Sequence, residues 1–291
     1  MRVEVNGAGY NVEVHGDGPP LMLLHGFTGS ARTWDAQVVK IRALAPAKGG
    51  WDDHSIVVVD LLGHGQTDAP TDPERYRMER ASEDVCAILD TLGHSRAAVL
   101  GYSMGGRLAL HLAVECPERV AALVLESGSP GIADPVERQE RATRDAQLAM
   151  FIEREGVSSF VRRWEANPIF ESQRVLPEEA RSSLRSQRLQ NSSVGLANSL
   201  RGMGAGAQEP LWDRLDTVAA PTLLLAGEHD RKYQVLLERM WDRLPRVGAA
   251  VIPDAGHAVH LEQPDGYVNR VVEFLWGQLP GWNSREEIEW R

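Results

Sequence analysis

The stretch "VLGYSMGGRLAL" (residues 99–110) sets Ser103 among glycines directly after an apolar run. A serine in a G-x-S-x-G turn between a strand and a helix is placed as a nucleophile, and the small neighbours permit the strained backbone that exposes its hydroxyl. A lone hydroxyl is too weakly acidic to react, so a histidine must take its proton and an acid must orient that histidine. The candidate base is His257, in "DAGHAVHLEQP" after the last strand-like run, in preference to His260, which would face back along the following helix. The candidate acid is Asp230 in "AGEHDRKY", with Glu126 at the end of an earlier apolar run as its competitor and Glu228 read as a solvated loop charge. "LLHGFTGSARTW" supplies a loop whose Phe27 amide, with the Met104 amide, would donate to a developing oxyanion.

Arg107 follows Ser103 by four residues, hence lies on the same helix face one turn along. A guanidinium there either binds an anionic substrate at two points or pairs with a core acid such as Asp60 or Glu126. His25 and His64 sit in loop motifs and are expected to order those loops by hydrogen bonds. No grouping of His, Cys, Asp and Glu has metal-ligand spacing, so neither metal nor organic cofactor is expected.

These residues need a scaffold that brings distant segments to one edge. Val3–Val5 and Tyr10–Val14 read as a hairpin around "NGAG", and six further apolar runs (20–25, 55–60, 97–102, 120–126, 221–227 and 248–253) read as buried strands. Helical patterns at 81–92, 104–115, 233–244 and 267–279 alternate with them, as a mostly parallel sheet with crossover helices requires. From Ser129 to about Pro210 no strand-like run occurs, which predicts a helical cap inserted after the sixth strand. The expected division is therefore core over 1–128, cap over 129–210 and core again over 211–291, with no assigned role for the tail 281–291.

A chain of 291 residues with 43% hydrophobic content can bury a large core. Its net charge of −10 disfavours nucleic acid as a partner. Cys86 and Cys116, both in helical patterns, read as reduced thiols. With no export signal and no membrane-spanning run, a cytoplasmic protein without membrane insertion is expected; the sequence assigns no oligomeric state.

The elbow, the histidine loop and their order resemble the α/β-hydrolase superfamily over nearly the whole chain. The resemblance implies an α/β-hydrolase fold with a mostly parallel eight-stranded sheet flanked by helices. More narrowly, "GYSMGGR", "ESGSPGI" followed by Arg141, "WEANPIF", "RSQRLQNSS" and "GHAVHLEQP" resemble the 2-succinyl-6-hydroxy-2,4-cyclohexadiene-1-carboxylate (SHCHC) synthases of menaquinone biosynthesis. That family likeness implies a lyase acting on a small anionic substrate, with Arg107, Arg141 and Arg188 binding carboxylates and Tyr102 and Trp164 lining the pocket. Leu62 and Thr67 replace the Pro and Ser common in the "DLLGHGQTD" loop. The residues alone leave open a serine esterase, a C–C bond hydrolase, or a non-catalytic binding protein on the same fold.

Overall fold

A computed structural model of the chain describes residues 1–47 and 54–278. Eight strands form one sheet: β1 (Arg2–Val5), β2 (Ala8–His15), β3 (Pro20–Leu24), β4 (Ser55–Val59), β5 (Ala97–Tyr102), β6 (Val120–Glu126), β7 (Thr222–Gly227) and β8 (Val247–Ile252). Their spatial order is β1-β2-β4-β3-β5-β6-β7-β8, antiparallel at β1-β2 and β2-β4 and parallel from β4 onward. The hairpin turns at Asn6 (φ 48°) and Gly7 (φ 79°), two left-handed residues whose twist matches that of the flanking strands.

Helices cover both faces. They are α1 (Asp35–Ala47), α2 (Met78–Thr91), α3 (Met104–Glu115), α4 (Pro135–Glu165), α5 (Glu178–Leu189), α6 (Ser193–Met203), α7 (Arg231–Trp241), the short α8 (Val259–Glu262) and α9 (Pro264–Gln278). Because side chains alternate along a strand, Leu21 and Leu23 of β3 join one buried cluster with α1 and α9, while Met22 and Leu24 join another with α2 and α3. Double-sided burial explains why these strands are continuously apolar rather than alternating. Cys86 lies in α2, but Cys116 stands just past α3 with φ −132°, outside the helix in which the sequence pattern places it. Pro117 follows, and a residue before proline is pushed out of the helical region.

The chain leaves the sheet at Glu126 and re-enters it at Thr222 in the neighbouring strand, with Leu123 opposite Thr222. Between these points lie α4, interrupted at Gly156 (φ 76°), a 3-10 helix at Pro168–Val175, α5, α6 and a 3-10 helix at Trp212–Thr217. Ala149, Ile152, Phe160, Val161, Leu196, Ala197 and Leu200 give α4 and α6 a small buried core of their own. Most of the long connection at 47–55 and the whole 281–291 tail fall outside the described residues. No helix among the described residues is long and apolar enough to cross a membrane.

Candidate active site

Ser103 stands between β5 and α3 with φ 52° and ψ −105°, a conformation L-residues rarely adopt. Strain of this kind persists only where neighbours enforce it, at a cost of about 1–3 kcal/mol. Here α3 is pressed against the sheet: a Cβ on Gly105 would lie 2.2 Å from the Leu24 carbonyl oxygen, so only glycine fits. The Ser103 amide donates to the Glu126 carbonyl at 2.8 Å, fixing the elbow to the end of β6.

Asp230 caps α7, accepting from the Tyr233 amide at 3.3 Å, and its other oxygen lies 2.7 Å from His257 Nδ1. A carboxylate is an acceptor only, so the proton belongs on Nδ1 and leaves Nε2 free to accept. Nε2 lies 3.1 Å from the Ser103 hydroxyl oxygen. The three side chains, drawn from segments 154 residues apart at the widest, therefore form one continuous hydrogen-bonded chain. The base loop is pinned as well, because the Ser127 hydroxyl donates to the His257 carbonyl at 2.9 Å.

Glu126 and His260 form a separate pair. Both are fully buried, with His260 Nδ1 at 2.8 and 2.9 Å from the two carboxylate oxygens and the His260 amide donating at 3.0 Å. The competing acid is thus engaged by the competing histidine, away from Ser103. Tyr102 lies between the two histidines, its ring centroid 5.4 Å from that of His257 and 4.7 Å from that of His260. His25 and His64 do order their loops: the Leu61 amide donates to His25 Nε2 at 3.0 Å, and His64 Nδ1 lies 3.1 Å from the Leu62 carbonyl. Burial holds both rings neutral, lowering His25 to about 4 and His64 to about 3.

The Met104 amide opens α3 and has no acceptor within its helix. Phe27 occupies the second position of a turn closed by the Gly29 amide on the Gly26 carbonyl at 3.0 Å. Thr28, third in that turn, has φ 71°, a left-handed conformation that strains a β-branched residue. From beyond the sheet, Asn191 holds it, donating to the Thr28 carbonyl at 2.9 Å while accepting from the Gly65 amide at 3.1 Å.

Ser103, Met104, His257, Phe27, Tyr102 and Trp164 all open onto one cavity of about 1490 Å³, larger than the roughly 300–1,000 Å³ of an ordinary small-molecule pocket. Arg107 and Arg141 also line it. Arg141 is paired with Asp145 at 2.8 Å. Arg107 is buried, and its Nη1 donates to the neutral Gln208 Oε1 at 3.0 Å. Among the described residues no carboxylate lies within ion-pair distance of it. Asp60, one expected partner, instead accepts from the Ala31 amide at 2.5 Å and the Gln66 amide at 2.8 Å. Burial, the larger cause, and the neighbouring Arg141 lower the Arg107 guanidinium to about 10. Arg188 pairs with Glu165 at 3.3 Å, and its guanidinium lies over the ring of the cavity residue Phe170, 5.3 Å from the centroid. Trp164 packs edge-on to Phe27 at 5.3 Å, and its buried indole N–H has no partner.

Several residues of the site are not singled out by the sequence motifs. Tyr233, 4.8 Å from the His257 ring, becomes visible only once Asp230 is known to cap α7, which turns the first helical turn toward the base. Phe170 ends "WEANPIF" without being distinguished there, and Gln208, which holds Arg107, carries no motif at all. Glu228, His229 and Asp254 present ligand-type atoms within 4.8 Å of one another, a grouping that linear spacing does not reveal. All three are exposed, and Glu228 accepts from the Asp254 amide at 3.0 Å.

A parallel sheet with a serine elbow after β5, an acid after β7 and a histidine after β8 defines a known class of enzymes. The chain belongs to the α/β-hydrolase fold family, whose model matches residues 19–264. It is 44% identical over 255 residues, 88% of this chain and 89% of the relative, to the "Putative 2-succinyl-6-hydroxy-2,4-cyclohexadiene-1-carboxylate synthase" of Bacillus subtilis (strain 168). Among solved structures it is similar to MenH from S. aureus, with a TM-score of 0.85 and 32% identity over 92% of this chain and 98% of that one. A thermophilic esterase from Thermogutta terrifontis, solved with malate bound, matches with a TM-score of 0.79 and 26% identity over 94% and 98% of the two chains.

Proposed function

We propose that this enzyme is a carbon-oxygen lyase of menaquinone biosynthesis that eliminates pyruvate from 2-succinyl-5-enolpyruvyl-6-hydroxy-3-cyclohexene-1-carboxylate to give SHCHC. In this reading His257, oriented by Asp230, draws the proton from Ser103, and the serine oxygen takes the substrate proton next to the succinyl ketone. The released electron pair moves through the ring double bond and breaks the bond to the enolpyruvyl oxygen. The departing enolate takes up a proton on carbon to become pyruvate, so the step needs neither water nor a redox partner. The Phe27 and Met104 amides hold the oxyanion that forms at the ketone. Arg107 and Arg141 bind substrate carboxylates, Tyr102 and Trp164 shape the pocket, and residues 129–210 act as a cap over a core formed by 1–128 and 211–291. Arg188, held by Glu165 over the cavity residue Phe170, is the third cation offered to a substrate carboxylate.

The observation that carries this reading is Arg107: a buried guanidinium with only a neutral partner faces the same cavity as the Ser103 hydroxyl. An esterase of neutral substrates has no use for such a charge. Pyruvate release from the enolpyruvyl substrate, followed through a coupled lactate dehydrogenase assay, tests the proposal. Turnover confined to esters such as p-nitrophenyl acetate would instead favour a serine hydrolase, the second reading supported by the likeness to the thermophilic esterase.

A further inference from the structure

Gln208 lies near the end of the excursion between β6 and β7 and is almost fully buried, 1% exposed. Its segment is fastened on both sides: the Gln208 amide donates to the Gly204 carbonyl at 3.2 Å, the Leu211 amide to the Pro130 carbonyl at 2.7 Å and the Trp212 indole to the Gly131 carbonyl at 2.9 Å. The side chain passes beside Gly131, where a Cβ would come within 3.5 Å of the Gln208 amide group. Its oxygen accepts from Arg107, and its buried Nε2 has no partner. The amide orientation is therefore set by Arg107 alone, since the flipped amide would point N–H donors at a group that has only donors to offer.

Leaving a buried amide nitrogen unsatisfied is unfavourable, and most buried arginines avoid the problem by facing a carboxylate. Even the half-buried Arg141 and Arg188 each face a carboxylate. A glutamate in place of Gln208 has the same length and would form a fully partnered buried ion pair with Arg107. That arrangement would also cancel the charge that faces the cavity.

We infer that Gln208 is a specificity-determining positioning residue, which fixes the Arg107 guanidinium through an uncharged acceptor so that its whole charge is reserved for a substrate carboxylate. The inference rests on the reading of Arg107 as a carboxylate ligand. The lowering of Arg107 by burial agrees with a charge that awaits its counterion.

Steady-state pyruvate release by Gln208→Glu, Gln208→Met and Arg107→Met tests it. Gln208→Glu should raise KM by about 30-fold or more while kcat changes by less than about threefold, because the loss is of charge available in the ground state and transition state alike. Gln208→Met, which removes the acceptor but adds no charge, should raise KM by only about three- to tenfold, the usual worth of one hydrogen bond. The order Glu above Met marks charge rather than packing. The thermal midpoint of Gln208→Glu should equal or exceed that of the wild type, whereas a merely structural glutamine would make the buried glutamate destabilising. A KM for Gln208→Glu within twofold of the wild type, with Arg107→Met strongly impaired, overturns the role of Gln208 and leaves Arg107 standing. An unimpaired Arg107→Met overturns the reading of Arg107 itself, and the inference with it. If Gln208→Glu does not fold, Gln208→Met decides alone: a wild-type KM overturns the positioning role.

Discussion

Replacing Arg107 with methionine separates the charge from the volume it fills. The fall of the guanidinium from its ordinary value to about 10 means that its surroundings, burial foremost, penalise the charged form by roughly 3 kcal/mol. Because the group is a base with a depressed value, that penalty is present in full below about pH 10 and fades only as the pH rises above it. Arg107→Met removes it at neutral pH but orphans the Gln208 oxygen, a loss of about 1–3 kcal/mol. The folded protein should thus be between unchanged and about 2 kcal/mol more stable in urea unfolding at pH 7. The same variant should lose about 2–5 kcal/mol in kcat/KM for pyruvate release, or roughly 30- to 5,000-fold, as one partner of a desolvated charge pair disappears. Activity and stability are expected to move in opposite directions or apart. A loss of 3 kcal/mol or more in unfolding free energy would refute this reasoning, because Arg107 would then be holding the fold together instead of awaiting an anion.

Ser103→Ala, Asp230→Asn and His257→Ala should each lower kcat by about a thousandfold or more with unchanged circular dichroism, since the three act as one unit. Glu126→Gln should leave much of the rate and show its effect in the thermal midpoint, through the buried pair with His260. Asn191→Asp keeps an acceptor for the Gly65 amide but loses the donor to Thr28; kcat should fall about 10- to 100-fold with KM nearly constant, because the Phe27 amide is displaced from the developing oxyanion. His25 and His64 take up protons on unfolding near pH 6.5 but resist them in the fold down to about 4 and 3. Their contribution is complete above about pH 6.5 and is lost as the pH falls below it, so unfolding free energy should drop toward pH 4 with a slope of about 1.4 kcal/mol per pH unit for each ring. Replacing His64 with an uncharged residue should make that slope shallower, as read by urea titrations at successive pH values.

The inner strands β3 to β7 were legible because burial on both faces of a parallel sheet writes itself as unbroken apolar runs, whereas the β1–β2 hairpin showed by alternation and its turn, and the edge strand β8 showed as an apolar run although one face of it is partly exposed. The elbow was legible for a different reason: its glycines are demanded by backbone contacts shorter than any side chain allows, so chemistry and sterics leave the same mark at 101–106. What stayed hidden depends on which charge meets which. Nothing in the spacing of Glu126 and His260 distinguishes a spare acid and base from a mutually satisfied pair. Likewise Arg107 could be assigned a face of its helix but not a partner, because the partner, Gln208, comes from a segment without motif or periodicity. The pairing of Arg188 with Glu165, twenty-three residues earlier on another helix, is announced by no local pattern.

Since β6 and β7 are parallel hydrogen-bonded neighbours, a single crossover of about a dozen residues or more would join them, far less than the chain uses here. Residues 127–221 are in that sense a detour, and the serine, acid and histidine are all anchored on parts of the chain that never enter it. In the proposed function the detour contributes discrimination: Gln208 holds Arg107, Asn191 holds the Thr28 turn, and Trp164 and Phe170 line the cavity. On that reading part of the recognition is stored in a length of polypeptide separable from the reacting groups, and a new substrate could be acquired by rewriting the detour together with Arg107 while the serine, acid and histidine stay where they are.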